Sequence, residues 1–426
     1  MDAKARVIAG LNASGKTQLV ERMRREMASN SVRYVAFCDT YGTATDRSYY
    51  LQQRWNQHDI DAETPTVRAA LERSFLLSGA DTTERRALQQ QLYELMGLKP
   101  LLDRYVITLS SGELRKMQLT KTLMARPRTL ILDNPFIGLD HEARTMLVHQ
   151  LQLLKQQGVE LVLLVARKEE IPAFADEVTW TSPEEEMEAI VPIGTIVPIV
   201  TIDTIKTKSA PVIEFRDVSI KYDDRTILNG MTWTVRRGER WALSGRNGSG
   251  KSTLLSLVCA DNPQAYACDI TLFGKRRGSG ESIWDIKRRI GYVSPELHRS
   301  YLRNIPAVSI VASGLKDTVG LYARTNADEQ RQCMQWMQRF GIDSLAQRSF
   351  LQLSSGEQRM VLVCRAFVKD PELLILDEPM HGLDIQRQQT VKKNISDFCS
   401  NREKTLIMVT HYPQELPTCI DHSLTL

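Results

Sequence analysis

Residues 97–140 read GLKPLLDRYVITLSSGELRKMQLTKTLMARPRTLILDNPFIGLD, and residues 341–384 read GIDSLAQRSFLQLSSGEQRMVLVCRAFVKDPELLILDEPMHGLD. The two stretches match at a constant offset of 244 residues. Upstream of them, GLNASGKT at 10–17 recurs as GRNGSGKS at 245–252, at an offset of 235 residues. Such self-similarity indicates two copies of one module. Because the two offsets differ by nine residues, we expect an insertion between the motifs, where loops tolerate extra length.

The composition of the 426-residue chain is that of a globular protein with room for two or three domains. Hydrophobic residues make up 42% and charged residues 25%, which excludes a disordered or collagen-like chain. The net charge of +4 is too small to indicate a nucleic-acid partner. Seven scattered Cys, none in a C-x-x-C pair, argue against a disulfide framework or a zinc site. With no signal peptide and no apolar run of about 18 residues, we expect a cytoplasmic protein.

The join between the modules is predicted near 181–211, where a run of Glu is followed by an apolar stretch with three prolines. Proline breaks helices, so an extended linker is expected. We predict a first domain at 1–188, a linker at 189–210 and a second domain at 211–426. Short β-branched runs alternate with helical stretches in both copies, which predicts α/β domains, each with a mixed, mainly parallel sheet and a helical subdomain.

The two copies differ at their starts. Before the second copy of the loop, VIEFRDVSIKYDDRTILNGMTWTVRRGERWALSG predicts antiparallel strands with a turn at Asp223–Asp224. Only nine residues precede Gly10 in the first copy, so we expect these opening strands to be absent from it, either because the reading frame starts late or because the chain has lost them.

The pattern G-x-x-x-x-G-K-[ST] occurs at Gly10–Thr17 and again at Gly245–Ser252, each time between an apolar strand and a helix. Glycines let successive backbone N–H groups point inward and cradle phosphates at the start of the helix. The lysine reaches the β- and γ-phosphates, and the hydroxyl of Thr17 or Ser252 ligates Mg²⁺. A nucleotide and Mg²⁺ are therefore the expected ligands.

Each copy also carries an apolar strand that ends in a carboxylate, TLILDNP at 129–135 and LLILDEP at 373–379. By itself, an apolar run ending in Asp is an ordinary strand that meets a turn. Together with a phosphate loop in both copies, it predicts that Asp133 and Asp377 reach the magnesium ion.

Between these motifs lies LSSGE, at Leu109–Glu113 and at Leu353–Glu357. Ser followed by Gly-Glu is a good N-cap for a helix in any protein. The same N–H groups can also bind an anion, such as the γ-phosphate of a nucleotide held by the other module. Both interpretations stay open, because a cap presented to a partner is itself an anion site.

In their order and spacing these motifs resemble the ATP-binding-cassette (ABC) ATPases over nearly the whole chain. The LSSGE segments are similar to that family's LSGGQ signature, and Gly138–Asp140 and Gly382–Asp384 are similar to its D-loops. His411 is similar to its switch histidine, and Tyr222 to the aromatic residue that stacks on adenine. More narrowly, the stretch 274–298 and the tandem layout resemble the ModF-type proteins of the family, which are associated with molybdenum transport.

The resemblance implies that the modules pair head to tail, so that each ATP lies between one module's phosphate loop and the other's signature. It also implies that Glu378 orients or deprotonates the attacking water, with His411 as its partner. The first copy has Asn134 and Arg167 at these places, and an Asn side chain cannot accept a proton. We therefore predict one competent and one degenerate site.

The predicted residues fall into these two composite sites. The competent site takes the catalytic Glu378 and His411, the magnesium ligands Ser252 and Asp377, the nucleotide contacts Tyr222, Gly245, Asn247, Gly248, Gly250, Lys251, Ser252 and Thr253, and the closing residues Ser110 and Gly112. The degenerate site takes Gly10, Asn12, Gly15, Lys16 and Thr17, with Thr17 and Asp133 on the metal and with Ser354 and Gly356 closing it.

One departure from transporter ATPases concerns coupling to the membrane partner. The family carries a Gln after the strand that follows the loop helix, whereas this chain has Asp39 in one copy and Pro295 and Glu296 in the other. This weakens the interpretation as an ordinary importer subunit, although Glu296 is still placed to approach the metal.

Some residues have a plainer interpretation. Two basic runs, Lys275–Arg277 and Lys287–Arg289, are either solvated faces or an anion or nucleic-acid patch. Trp284 and Trp336 are predicted to lie in the core of a helical subdomain. The histidines other than His411 have no metal-ligand spacing.

Three functions remain open. The first is a tandem ABC ATPase that powers or regulates a membrane transporter, with the permease on another chain and this chain cytoplasmic or peripheral on the cytoplasmic face of the inner membrane. The second is a soluble ABC protein that acts on ribosomes or nucleic acid. The short linker disfavours it, because two-cassette translation factors have a long, basic helical linker. The third, a clamp without turnover, is disfavoured by Glu378 and His411.

Overall fold

The computed structural model describes residues 3–10, 16–26, 31–36, 64–109, 111–136, 139, 141–181, 210–222, 225–245, 248–301, 304–319 and 325–426. The chain divides into two compact units near residue 190. The linker predicted at 189–210 lies outside the described residues apart from Ala210. The domain bounds 1–188 and 211–426 therefore stay predictions.

The described part of the first unit alternates strands with helices. In chain order its elements are β1 (Ala5–Ala9), α1 (Lys16–Glu26), β2 (Val32–Ala36), α2 (Val67–Leu77), α3 (Thr83–Leu95), α4 (Ser111–Leu123), β3 (Thr129–Asp133), α5 (His141–Gln156), β4 (Glu160–Val165) and β5 (Glu177–Trp180). The strands form one parallel sheet in the order β2-β3-β4-β1-β5. All residues of β3 except the last are buried, as expected for an inner parallel strand that is covered on both faces.

The second unit has the same alternation, preceded by a pair of long strands. Its elements are β6 (Pro211–Tyr222), β7 (Arg225–Arg236), β8 (Arg240–Ser244), α6 (Lys251–Val258), β9 (Asp269–Leu272), β10 (Lys275–Arg276), α7 (Ile283–Lys287), β11 (Ile290–Val293), α8 (Pro295–Ser300), α9 (Ala307–Lys316), α10 (Ala327–Arg339), α11 (Ser355–Phe367), β12 (Leu373–Asp377), α12 (Ile385–Ser400), β13 (Thr405–Val409) and β14 (His422–Thr425).

Two sheets make up the second unit. The parallel sheet has the order β11-β12-β13-β8-β14, and the antiparallel sheet has the order β10-β9-β6-β7. The prediction of a mainly parallel α/β fold is confirmed, but the antiparallel strands form a sheet of their own. The main core cluster joins residues of both sheets and of α6, among them the fully buried Phe215, Leu255 and Ile375.

The internal repeat is visible in the pairing of the strands. Tyr34 pairs with Ile131 across β2 and β3, as Tyr292 pairs with Ile375 across β11 and β12. The offset between the copies is thus 235 residues at the phosphate loops, 258 at these tyrosines and 244 beyond them. The expected nine-residue insertion is therefore the net result of a longer insertion before the tyrosine and a shorter deletion after it, both in the second copy. The second unit gains β9, β10 and α7 before the tyrosine, and the first unit is longer after it.

The antiparallel strands predicted before the second phosphate loop are confirmed as β6 and β7. β6 ends at Tyr222 and β7 begins at Arg225. The predicted turn at 223–224 lies outside the described residues. In the ranges of the first unit that the structure describes, no counterpart of this sheet occurs.

The signature helix α11 begins where the sequence places an N-cap. Ser354 Oγ accepts the N–H of Glu357 at 3.3 Å, and the Glu357 carboxylate accepts the N–H of Ser354 at 2.8 Å. This reciprocal capping box satisfies two backbone donors that the first turn of a helix leaves over.

The two tryptophans predicted to be in the core have different outcomes. Trp336 packs against the buried Phe340 and Phe367, with ring centroids 6.3 and 5.6 Å apart, but it is itself only half-buried and so lies at the edge of the core. For Trp284 the prediction is wrong, because this side chain is 50% exposed. It lies on α7, which has five residues and buries only Ile286.

The helices have the lengths of a globular α/β fold. Those with 16 residues, α5 and α12, are the longest in the described ranges. Of the helices described, none combines the length and the hydrophobicity that a bilayer crossing needs.

Candidate active site

The phosphate loop of the second unit follows β8 and requires its glycines. Gly245, Gly248 and Gly250 have φ angles of 144°, 82° and 101°, a region that residues with a Cβ rarely adopt. A Cβ at Gly245 would lie 2.7 Å from Ser249 Oγ, and one at Gly250 would lie 2.9 Å from Leu228 Cδ2 on β7. The loop therefore folds tightly on itself and against the antiparallel sheet.

The polar side chains of this loop lie at the start of α6. Lys251 Nζ donates to the Gly245 carbonyl at 2.6 Å, and the lysine is 9% exposed. Ser249 Oγ is buried and has no hydrogen-bond partner among the residues that the structure describes. An ammonium group turned back onto its own loop and an unsatisfied hydroxyl are groups that an incoming phosphate would satisfy. Ser252 and Thr253 follow in the first turn, and Asn247 lies outside the described residues.

The carboxylate that ends β12 lies in a region of excess negative charge. Asp377 is 6% exposed. The pKa of its carboxyl is held well above the usual range, first by burial and then by the carboxylates of Glu296 and Glu378. Lys251 and Arg359 act in the opposite direction. A divalent cation would neutralise the negative charge at this strand end.

Glu378 holds its carboxylate between two imidazoles. Its φ of 50° is in the left-handed region, and its N–H donates to the Val409 carbonyl at 2.9 Å. Oε1 lies 3.2 Å from His411 Nε2, and Oε2 lies 3.5 Å from His381 Nδ1. The fold therefore brings the two predicted catalytic residues, Glu378 and His411, together.

His381 is a further candidate site residue, although the spacing of the histidines in the sequence did not indicate it. Besides Glu378, its Nδ1 lies 3.4 Å from Arg359 Nη2. The signal that points to it is a difference between the copies, since the first module has Ile137 at the matching place. His381 thus distinguishes the second copy in the same way as Glu378 and His411.

Hydrogen bonds hold the loop that carries His411 on both sides of this residue. Thr410 Oγ1 donates to the Glu415 carboxylate at 2.5 Å and accepts the backbone N–H of Tyr412 at 3.1 Å. Glu415 is 3% exposed. The Thr410 hydroxyl therefore holds the backbone on both sides of His411, and the position of the His411 backbone is restricted.

Tyr222 is oriented by a buried asparagine. Tyr222 packs against the core cluster, and its hydroxyl accepts a hydrogen bond from Asn262 Nδ2 at 2.9 Å. Asn262 is 1% exposed, and its Oδ1 accepts the N–H of Gln264 at 3.0 Å. Because β7 contacts the phosphate loop at Gly250, Tyr222 lies on the sheet that borders this loop. Asn262 is a second residue that no sequence motif indicates.

Replacing Asn262 with Ala is expected to raise the KM for ATP about 3–10-fold and to change kcat by less than about twofold, because one ordinary hydrogen bond that orients the ring is lost. The measurement is steady-state ATPase kinetics. Tyr222→Phe is the matched variant, since it removes the same hydrogen bond and keeps the ring. The double variant should show no further rise in KM. A fall in kcat at constant KM in both single variants would contradict this role.

The phosphate loop of the first unit is described at its two ends. The N–H of Gly10 donates to the Val165 carbonyl at 3.2 Å, and Lys16 Nζ donates to the Gly10 carbonyl. Lys16 is 7% exposed, and burial lowers its pKa to about 8. Outside the described part lie Asn12, Gly15 and the side chain of Thr17.

Asp133 ends β3, the counterpart of β12, but its neighbours differ from those of the second unit. Tyr34 Oη donates to Asp133 Oδ2 at 2.7 Å, and Asn134 Nδ2 donates to Oδ1 at 2.9 Å. Burial raises the pKa of the Asp133 carboxyl. Asn134 has a φ of 51°, and its N–H donates to the Leu164 carbonyl at 2.9 Å, which is the backbone geometry of Glu378. The same backbone geometry therefore presents a carboxylate in the second unit and an amide, which cannot accept a proton, in the first.

The remaining predicted residues lie at helix starts and strand ends. Arg167 follows β4 by two residues, as His411 follows β13. A Cβ at Gly112, in the first turn of α4, would lie 3.4 Å from Leu139 Cδ2. In the second signature, Ser354 is the N-cap of α11 and Gly356 is buried. Ser110 and Asp39 lie outside the described residues.

The residues near Asp377 fit Mg²⁺ as part of a mixed ligand set. In the described ranges, no group of three His, Cys, Asp or Glu side chains is placed to hold a metal ion. Mg²⁺ usually takes one or two carboxylates and completes its shell with phosphate oxygens and waters. The negative charge at Asp377 and the hydroxyl of Ser252 suit such a site. Asp133, which has a donor on each oxygen, suits a cation less well.

Comparison with known proteins places the chain in a family. The profile described as ABC transporter matches residues 2–137 and 228–381. The ABC transporter ATP-binding protein ModF of Escherichia coli (strain K12) is 40% identical over 356 residues, which cover 78% of this chain and 73% of ModF. An uncharacterized ABC transporter ATP-binding protein of Schizosaccharomyces pombe is 30% identical over 404 residues, which cover 91% of this chain and 81% of that protein.

Among solved structures, a chain of the ribosome-bound archaeal Pelota and ABCE1 assembly aligns with 100% of this chain and 72% of its own length. The TM-score is 0.60 and the identity 17%, a likeness of fold alone. The two segments that match the family profile contain both phosphate loops and both strand-end aspartates. The chain therefore belongs to the ABC transporter family as a tandem ATP-binding-cassette protein, and it binds and hydrolyses ATP.

Proposed function

We propose that this chain hydrolyses ATP at one composite site, only binds it at another, and serves a membrane transporter whose permease is a separate chain. The proposal of unequal sites rests on the difference between Glu378 in the second module and Asn134 at the equivalent position of the first. Glu378 faces two imidazoles, whereas Asn134 donates to Asp133. A carboxylate can take a proton from water, and a primary amide cannot.

In the proposed competent site, the loop 245–252 binds the phosphates through its N–H groups and through Lys251. Tyr222 stacks on the adenine. Glu378 orients the attacking water and accepts its proton, and His411, at 3.2 Å, fixes the carboxylate. The signature at 110–113 of the first module closes the site and donates to the γ-phosphate.

The proposed magnesium ligands of this site are Ser252 and Asp377. When bound there with phosphate oxygens, Mg²⁺ would neutralise charge on the β- and γ-phosphates. The chain's own part is to place a hydroxyl at the start of α6 and a carboxylate at the end of β12. Because β8 and β12 run in the same direction, α6 starts at the sheet edge where β12 ends.

In the proposed degenerate site, the loop 10–17 binds ATP and the signature residues Ser354 and Gly356 close it. Asn134 and Arg167 stand where the competent site has its carboxylate and imidazole, so hydrolysis is slow or absent.

The proposed transporter role rests on the relatives. Both curated relatives are described as ABC transporter ATP-binding proteins. This chain would then lie in the cytoplasm or peripherally on the cytoplasmic face of the inner membrane, beside a permease. Molybdate as the cargo rests on the resemblance to ModF-type proteins alone.

The two basic runs favour this role over action on nucleic acid. A nucleic-acid surface needs cations that are available to phosphates. Five of the six cations in these runs have an acidic neighbour within 4 Å. The pairs are Arg276–Asp269, Arg277–Glu281, Lys287–Asp261, Arg288–Asp285 and Arg289–Glu372.

Cell fractionation tests the transporter role. The tagged full chain is expected to sediment with membranes and to capture an integral membrane protein after mild detergent extraction. Ribosomes washed at low and high salt are the parallel fraction. Salt-sensitive sedimentation with ribosomes, with no membrane protein captured, would overturn the transporter role and favour the soluble alternative.

A further inference from the structure

The strand-end aspartate of the first module is already occupied by two donors of the chain itself. Tyr34 Oη donates to Asp133 Oδ2 at 2.7 Å, and Asn134 Nδ2 donates to Oδ1 at 2.9 Å. We infer that these two side chains stand in for the cation, so that the first module takes nucleotide without a divalent metal. The inference rests on the proposed function, because it assumes that the loop 10–17 binds nucleotide.

The register of the sheets places a tyrosine at the same position in both modules, but in the part of the chain that the structure describes only the tyrosine of the first module donates to its aspartate. Tyr34 pairs with Ile131, and Tyr292 pairs with Ile375 at the matching place in the second module. Both modules thus have a tyrosine beside the aspartate strand. Tyr34 Oη donates to Asp133. Tyr292 also lies near its aspartate, because its pKa is held well above the usual range by burial and then by Cys259, Glu296 and Asp377, but among the described residues no hydrogen bond joins Tyr292 to Asp377. The two tyrosines therefore differ in whether they donate to the aspartate.

The surroundings of the two aspartates differ in the same sense. At Asp377, the carboxylates of Glu296 and Glu378 add negative charge. At Asp133, the amide and the phenol present hydrogens with partial positive charge to each oxygen. A cation approaching Asp133 must displace two hydrogen bonds to a charged acceptor, which are stronger than neutral ones. A cation approaching Asp377 instead relieves repulsion between carboxylates.

The test uses the full chain carrying Lys251→Ala, in which the first loop is the intact phosphate loop, and a fluorescent ATP analogue. Its Kd is measured in EDTA and in Mg²⁺, and the two values are expected to differ by less than about threefold. Tyr34→Phe in this background is expected to make binding at least about tenfold tighter with Mg²⁺ than without, the scale on which neighbours of metal ligands change metal affinity.

Two further variants guard against misfolding and chance. Asn134→Gly removes the second donor and keeps a residue that accepts a left-handed backbone, and it should act in the same direction as Tyr34→Phe. Tyr292→Phe is the matched control at the equivalent position, and it should leave the ratio unchanged. Mn²⁺ retained per nucleotide after rapid desalting gives a direct count, expected near zero with Tyr34 present and near one in Tyr34→Phe.

Each other outcome has a defined meaning. If the Lys251→Ala chain binds the analogue at least tenfold better with Mg²⁺ while Tyr34 is present, the inference is wrong and nucleotide binding by the first module stands. If metal dependence stays absent in Tyr34→Phe and in Asn134→Gly, these side chains are not its cause, and the inference is again overturned. If the chain binds no analogue in either condition, the inference falls together with the proposed function of the first site.

Discussion

Glu378→Gln is expected to lower single-turnover ATP hydrolysis about 10²–10⁴-fold, the range for removal of a general base. ATP binding should change little, because the phosphate loop and its lysine are untouched. Gln keeps the length of the side chain and can still contact both imidazoles, so the loss would report on the proton acceptor and not on packing.

The measurement is hydrolysis of radiolabelled ATP with the protein in excess, together with binding of the same nucleotide. Asn134→Gly, at the equivalent backbone position of the first module, is the matched variant and should keep turnover within about threefold of the unmodified chain. Near-normal turnover in Glu378→Gln would mean that the hydrolytic site is assigned to the wrong residue.

Gly112→Asp is expected to lower ATP hydrolysis about 10²–10³-fold, and Gly356→Asp to lower it by less than about fivefold. In the head-to-tail arrangement that we propose, the signature of the first module closes the competent site. A carboxylate there would repel the γ-phosphate and push it away from the backbone N–H groups aimed at it, and loss of one such donor contact costs about this much. A Cβ at Gly112 would lie 3.4 Å from Leu139 Cδ2, so the helix start can accept a side chain.

The comparison between these two variants is the decisive part of the experiment. Thermal unfolding of each variant serves as the control for folding. Equal loss of activity in both would mean that the two sites share turnover. A larger loss in Gly356→Asp would reverse the pairing of signature and phosphate loop that we propose.

The parts of the fold that sequence could predict are those in which backbone conformation dictates residue type. The phosphate loop of the second unit needs glycine at positive φ, as Gly250 shows, and the buried strand β12 needs an unbroken apolar run. The capping box of Ser354 and Glu357 is equally local. The sequence patterns of these features repeat in both copies, and the repetition distinguished them from chance matches.

The parts that sequence could not predict depend on contacts between distant segments. Tyr34 reaches Asp133, 99 residues away, and Asn262 reaches Tyr222, 40 residues away. Nothing local to Tyr34 distinguishes it from Tyr292, which occupies the same register but, among the described residues, does not donate to Asp377. The exposure of Trp284 could not be predicted for a different reason. An apolar residue can stay exposed when its helix is too short to bury more than one side chain.

The left-handed backbone at Glu378 and Asn134 has a consequence for how the two halves can diverge. Asn tolerates this conformation better than most residues, whereas for Glu it carries a conformational penalty of about 1 kcal/mol. If Glu378 is the proton acceptor that we propose, function and thermodynamic stability favour different residues at 378. At 134 the residue present is the one with the smaller conformational penalty. On this proposal, a change from Glu to Asn at such a position would gain stability, and the reverse change would lose it.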